Sequence, residues 1–266
     1  MAKFVGGFGV AHHPSFPSAI ADAPGKLPDE AFYAAVKEQL EKAEPDVIIE
    51  LSTDHFTNFY QSNLPTFCLG IFDQAEGPEP TQRMPHYTVT SDMPLARGLL
   101  SYGVKSDFDF ASSEELLLDH SVMIPLHFLT PDMNIPVVPL YINGIAPPMP
   151  RPERCMELGL LLRRFIEEWD SNQRVALLAS GAFAIDVGGP KMGWTDTDWV
   201  NTIRDHMVDA KYEQLAKLAT PERVAEAGSA SGEILNWMAV LGAVGEKRPS
   251  FVETNAGHGY AAWMME

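Results

Sequence analysis

Positive charge is scarce in this sequence. Nineteen Lys and Arg stand against 36 Asp and Glu, a formal net charge of −17. A chain this acidic repels phosphate backbones, which argues against nucleic acid as a partner. It also means that an anionic small substrate would need a local cation or a metal. Cysteine is scarcer still: Cys68 and Cys155 are the only two, far apart in sequence. They read as buried free thiols in a reducing compartment rather than as a disulfide. No apolar run approaches the ~20 residues needed to span a bilayer. The N-terminal Met1-Ala2-Lys3-Phe4 leads into no signal-type apolar core. These absences predict a soluble cytoplasmic protein with neither membrane nor nucleic acid as a partner. There is no internal repeat and no low-complexity tract. What remains is an ordinary globular balance, 45% hydrophobic and 21% charged over 266 residues. That suits one large core, and the chain is expected to be a single domain over 1–266.

The hydrophobic pattern predicts an α/β fold with a central mixed sheet flanked by helices. Phe4 to Ala11 is an apolar run that reads as a buried first strand. Four prolines between Pro14 and Pro28 predict an irregular connection. Asp29 is placed to cap a helix from about Glu30 to Ala43, whose apolar positions Phe32, Ala35, Val36 and Leu40 recur at helical spacing. Val47-Ile48-Ile49 then reads as a buried parallel strand. In such a β-α-β unit a right-handed crossover leaves both strand ends on one side of the sheet. His12 follows the first strand and Asp54-His55 follows the second, so the two imidazoles should meet at one rim. Open α/β sheets usually build their sites there.

Further along, residues 56–90 are rich in aromatics and proline. They predict a long loop over the site with one short strand near Phe67–Phe72. A helix is expected from about Pro94 to Tyr102, an edge strand at Asp107–Phe110 and a buried strand over Ile135–Ile142. A long amphipathic helix should run from about Glu153 to Trp169, with a further strand at Val175–Leu178. Helices are expected from Asp196 to about Leu218, from Pro221 to about Ala227, and from near Gly232 to before Gly242. A turn containing Gly257 closes the pattern. Glu233 falls in the first turn of the last helix, where a carboxylate is favoured electrostatically. Two imidazoles and one carboxylate, His12, His55 and Glu233, can occupy one face of a divalent metal and leave the other open. That arrangement suits iron(II), which must bind a substrate and dioxygen together. His13 is adjacent to His12 and is the alternative ligand.

The motifs, taken in order, resemble the class III extradiol ring-cleavage dioxygenases of the LigB type, the group that contains protocatechuate 4,5-dioxygenase β subunits. The resemblance rests on His12-His13-Pro14, Asp54-His55, Asp119-His120-Ser121 with Pro125-Leu126, and the proline-rich segment Asn143 to Gly159 with Arg154-Cys155 and Leu158-Gly159. It continues through Glu233 with Asn236-Trp237, and Gly257 to Trp263. It implies Fe(II) held by His12, His55 and Glu233, with His120 as the catalytic acid/base. It also implies a catechol-type aromatic substrate opened with O2, lined by His13, Ala184, Ile185 and Asp186. The assembly it implies is a homo-oligomer or a hetero-oligomer with a small α-type subunit.

One departure stands out. The family usually carries an acid/base histidine after the strand that here reads Leu177-Leu178-Ala179-Ser180-Gly181. Ile185 stands near that position, and no histidine occurs between His127 and His206. Either His120 takes over the proton chemistry, or Asp186 or another group does, or the scaffold serves a different reaction. The alternatives are a metal-dependent hydrolase or lyase and a non-catalytic β-type subunit. A carboxylated ring would call for a cation from among Arg83, Arg151, Arg154 and Lys191.

Overall fold

The computed structural model describes residues 1–265. Ten strands and nine α-helices are found among them. In chain order they are β1 (Lys3–Val10), α1 (Phe16–Asp22), α2 (Glu30–Ala43), β2 (Val47–Ser52), β3 (Phe67–Gly70), β4 (Gln74–Gly77) and β5 (Tyr87–Thr90). There follow α3 (Met93–Lys105), β6 (Ala111–Ser113), α4 (His120–Leu129), β7 (Val137–Ile142), α5 (Pro152–Glu168) and β8 (Arg174–Ser180). The chain ends with α6 (Thr197–Val208), α7 (Tyr212–Leu218), α8 (Pro221–Glu226), α9 (Ile234–Val244), β9 (Phe251–Asn255) and β10 (His258–Met264).

Eight strands form one mixed sheet in the order β6-β3-β7-β2-β8-β1-β10-β9. The central strands β7, β2, β8 and β1 are parallel; β3 runs antiparallel to β7 but parallel to β6, and β10 runs antiparallel to β1 and β9. Successive residues of a strand point to opposite faces. Here both faces are apolar, which is why the strands read as unbroken hydrophobic runs. Val5, Ile48 and Val137 pack on one side with α1, α2 and α4. Phe4, Ile49 and Val138 pack on the other with α3, α5, α6, α7 and α9. Both cysteines are buried and free. No helix among the described residues is long and apolar enough to cross a membrane.

Several local expectations are corrected. Residues 16–22 are helical, entered through Pro17 in the first turn, where a missing N–H costs nothing. Asp29 does not cap α2 with its side chain. Its carboxylate is drawn off to Asn255, His258 and Tyr260. The 56–90 segment carries a β4–β5 hairpin as well as β3. Asp107–Phe110 is not a strand, because Asp107 adopts a left-handed backbone conformation (φ 61°) and the edge strand forms just after it, at Ala111–Ser113. The helix expected over Asp196–Leu218 is broken, since Ala210 is left-handed (φ 55°) and separates α6 from α7. The last helix runs through Gly242 and stops at Gly245 (φ 67°).

Candidate metal centre at the strand rim

Because β1, β2 and β8 are parallel, their carboxyl ends share one rim, and four side chains converge there. His12 follows β1, His55 follows β2, His120 opens α4, and Glu233 immediately precedes α9. The rings of His12 and His55 are 5.1 Å apart between centroids, those of His55 and His120 4.5 Å, and those of His12 and His120 5.6 Å. One nitrogen from each of the three imidazoles lies within 4.8 Å of the others, a spacing that one metal ion could bridge. Glu233 Oε1 lies 3.2 Å from both His12 Nε2 and His55 Nε2.

Each imidazole is oriented from behind. Ser180 Oγ donates to the Ser121 carbonyl (2.5 Å), so toward His12 Nδ1, 2.7 Å away, it can only accept. That places the proton on Nδ1 and leaves the His12 Nε2 lone pair facing the cluster. Asp119 Oδ2 accepts from His55 Nδ1 at 3.0 Å and from the His55 backbone N–H at 3.0 Å. Its other oxygen accepts from the Ser121 amide and hydroxyl. Glu79 Oε1 sits 3.2 Å from His120 Nδ1. Oxygen partners behind inward-facing imidazoles are the usual support of metal-binding histidines. They also explain the Asp119-His120-Ser121 motif, whose outer two residues tie His55 to His12 through Ser180.

Glu233 is held with equal care. Its Oε2 accepts from the Ala182 N–H at 2.6 Å, which leaves Oε1 for the imidazoles. Asn236 Nδ2 donates to the Ser180 carbonyl (2.8 Å), and Trp237 Nε1 to the Gly181 carbonyl (3.0 Å). The two side chains pin the start of α9 to the end of β8. Two glycines admit this contact. A Cβ on Gly9 would fall inside the Trp237 ring, and one on Gly181 would lie 2.5 Å from Glu233 Cβ. The Glu233-x-x-Asn236-Trp237 spacing is thus a carboxylate and its clamp.

The electrostatics match this geometry. Burial and the surrounding imidazoles compete at Glu233, and His12 and His55 win, holding the carboxyl well below its usual range. Burial lowers His12 more than Glu233 raises it, so that ring stays neutral. Burial also opposes charge on His55, but its hydrogen bonds to Asp119 and Glu233 outweigh burial and lift it to about 10. The His12 Nε2 and His120 Nε2 atoms are buried without a correctly aligned hydrogen-bond partner. An unpartnered His12 Nε2 facing the Glu233 carboxylate, with an imidazole nitrogen of His55 and of His120 close by, fits a cation.

The remaining expected site residues fall nearby or turn elsewhere. His13 Nδ1 accepts from the Ser15 N–H (3.1 Å) and pairs with the Ser15 hydroxyl (2.6 Å). Burial, with His258 and His12 alongside, lowers it to about 4. It is therefore neutral with its proton on Nε2, and offers no free lone pair to a metal. Ala184 and Ile185 are buried behind Ala182, where Ile185 packs on Ala182, Val187 and Ala230. Asp186 accepts from the Gly188 amide at 3.3 Å and the Ser229 hydroxyl at 3.4 Å, bonds that close the loop. Of the expected cations, Arg83 is paired with Asp22. Arg154 is engaged by Glu157, the Asp107 carbonyl and the Phe108 ring. Glu79 and Ser180 were not singled out from the sequence, and nothing in their neighbourhoods marks them. A separate cavity of about 820 Å³, between α1, α2 and α4, includes none of the four converging residues.

Residues 6–263 match the model of the catalytic LigB subunit of aromatic ring-opening dioxygenases. The chain belongs to the LigB family. Among curated relatives, the 2,3-dihydroxyphenylpropionate/2,3-dihydroxicinnamic acid 1,2-dioxygenase of Photorhabdus laumondii is 31% identical over 162 residues, 60% of this chain and 50% of that protein. The enzyme of the same name from Klebsiella pneumoniae is 29% identical over 168 residues, 61% of this chain and 51% of that one. This LigB-family chain spans about half the length of the curated relatives it matches. A crystal structure of an uncharacterized protein from Escherichia coli K12 superposes with a TM-score of 0.62 over 98% of this chain and 100% of that one. At 17% identity that likeness shows the fold alone.

Proposed function

We propose that the chain is a non-haem iron(II) dioxygenase that opens a catechol-type aromatic ring with O2, acting as one domain over 1–266. The observation that carries this reading is the convergence of His12 Nε2, His55 Nε2 and Glu233 Oε1 in a chain of the LigB family. These three would hold the metal. Two nitrogens and one carboxylate oxygen on one side leave room opposite for two further ligands. When bound, iron(II) supplies a site where a catecholate and dioxygen are held and activated together.

The protein's own residues do the rest. Ser180 and Asp119 fix the two ligand tautomers, and the Ala182 N–H fixes the carboxylate. His120, with Glu79 at its Nδ1 and its Nε2 unpartnered, is placed to hold or release a proton at a substrate hydroxyl. His13, with its proton on Nε2, can donate to a substrate oxygen. The reading extends to a cytoplasmic enzyme that works as a homo-oligomer or with a small second subunit.

A metal-dependent hydrolase or lyase is the second reading. It is favoured by the closeness of the third imidazole, His120, which could join the other two as a ligand. Oxygen uptake separates the two. After anaerobic Fe(II) loading, the protein should consume O2 with members of a panel of catechols and give a yellow ring-opened product, and His55→Ala should abolish this. Tight metal binding with no uptake on any member of the panel would refute the dioxygenase reading.

A further inference from the structure

His258 is the first residue of β10 and is buried. Its Nδ1 lies 2.9 Å from Asp29 Oδ2, and its Nε2 is buried with no partner. Asp29 also accepts from the Tyr260 hydroxyl (2.5 Å) and from Asn255 Nδ2. Burial alone would raise the Asp29 carboxyl, but the bonds from His258, Tyr260 and Asn255 hold it below its usual range. Asp29 is thus an anion that can only accept. The His258 proton must then sit on Nδ1, and the Nε2 lone pair is free.

The backbone ties this pair to the segment that holds Glu233. Ala182, whose N–H holds Glu233, forms an antiparallel bridge with His258. The Gly257 carbonyl accepts from the Phe183 and Ala184 amides at 2.8 and 3.2 Å. The β9–β10 turn is therefore fastened to the very segment in which Ile185 replaces a proton-carrying side chain. The His258 ring lies 5.3 Å from that of His13, the residue next to His12, and 5.4 Å from that of Phe16.

We propose that His258, oriented by Asp29, is a second proton-accepting residue of the site beside His120, and takes over the role that Ile185 cannot fill. The inference rests on the ring-cleaving reading for its substrate, a catechol. A substrate O–H bond breaks, its electron pair stays on oxygen, and the proton goes to His258 Nε2. The imidazolium so formed is balanced by the Asp29 carboxylate at Nδ1. This carboxylate-backed imidazole is the usual construction of a general base.

The test uses 4-nitrocatechol, whose visible spectrum distinguishes its monoanion from its dianion, bound anaerobically to the iron-loaded protein. The wild type should bind it as the dianion. His258→Gln should retain iron and bind the monoanion, and its kcat on an oxidisable catechol should fall ~10²–10⁴-fold with little change in KM. Asp29→Asn should act in the same direction, because an amide donating to Nδ1 forces the proton onto Nε2. Rates are taken per bound iron and melting temperatures are measured alongside, so that a folding loss is not read as a chemical one. A wild-type dianion that persists in His258→Gln, with kcat within about threefold, overturns the proposal. So does a wild-type protein that binds only the monoanion. A His258-dependent dianion in a protein that opens no ring sustains the base role and removes the ring-cleavage reading instead.

Discussion

Replacing Ser180 by alanine isolates the device that presents His12. The hydroxyl bridges the Ser121 carbonyl and His12 Nδ1–H, and all three groups are buried. Alanine removes both bonds and leaves a buried donor and a buried acceptor without partners. Each such loss costs roughly 1–3 kcal/mol. The two together should lower stability by about 2–6 kcal/mol, against the ~5–15 kcal/mol that domains typically have in hand. The second effect is on the metal. With nothing to accept from Nδ1–H, the His12 ring loses its preferred tautomer and its rotational anchor, and losing such a support typically weakens metal binding ~10–100-fold. Urea denaturation of the metal-free protein measures the first quantity. Competition against a chromophoric chelator at fixed pH measures the second. A variant with wild-type stability and metal affinity within about twofold would refute the claim that Ser180 sets the His12 tautomer.

Three further outcomes are expected. Gly9→Ala drives a methyl into the fully buried Trp237 ring and should cost ~1–3 kcal/mol by overpacking. Metal retention should fall with it as the start of α9 is displaced, both read by thermal melting with and without metal. Asp29→Asn should destabilise the protein most at neutral pH. The Asp29 pKa is depressed in the folded state, so its contribution is present above the ordinary aspartate value of ~4 and is lost as pH falls through and below it. Denaturation at stepped pH should show the gap to wild type closing in acid, and a gap independent of pH would refute the assignment. Arg83→Ala breaks an exposed pair with Asp22, so it should change stability by less than ~1 kcal/mol and leave substrate KM unaltered.

Two of the four residues that converge at the candidate site were legible because their meeting follows from strand direction. His12 and His55 sit just past parallel strands, and the β-α-β rule alone places them together. Glu233 was legible only through its motif, because a carboxylate at a helix start is ordinary until Asn236 and Trp237 are seen to clamp it. The supports were not legible. Ser180 and Glu79 are common residues whose roles depend on side chains far away in sequence, Ser180 on His12 and Glu79 on His120. Asp29 carried a clear local signal, that of a helix cap, and tertiary structure overrode it with three better donors from β9 and β10. The missed breaks at Asp107 and Ala210 share one cause: left-handed conformations at residues other than glycine, which composition does not announce. Gly242 misled in the opposite sense. It marks a close approach to the Met156 backbone rather than a helix end. The α4 helix went unread because Pro125 lies inside it.

The position of β1 in the sheet has a consequence for how the protein is made. The strand is synthesised before the rest of its sheet, yet its hydrogen-bonding neighbours are β8 and β10, far from it in sequence. During translation its apolar residues have no sheet to join until residues 174–180 and then 258–264 have left the ribosome. Pairings of such large sequence separation close slowly. An unpaired apolar strand is an aggregation hazard while it waits, the kind of exposure that chaperones cover. His12 follows that strand and Glu233 lies between its two late partners in sequence, so the candidate metal centre is assembled only when the sheet closes. Metal uptake should therefore report completion of folding, and a stalled or nicked chain should be recognisable by its failure to retain the ion.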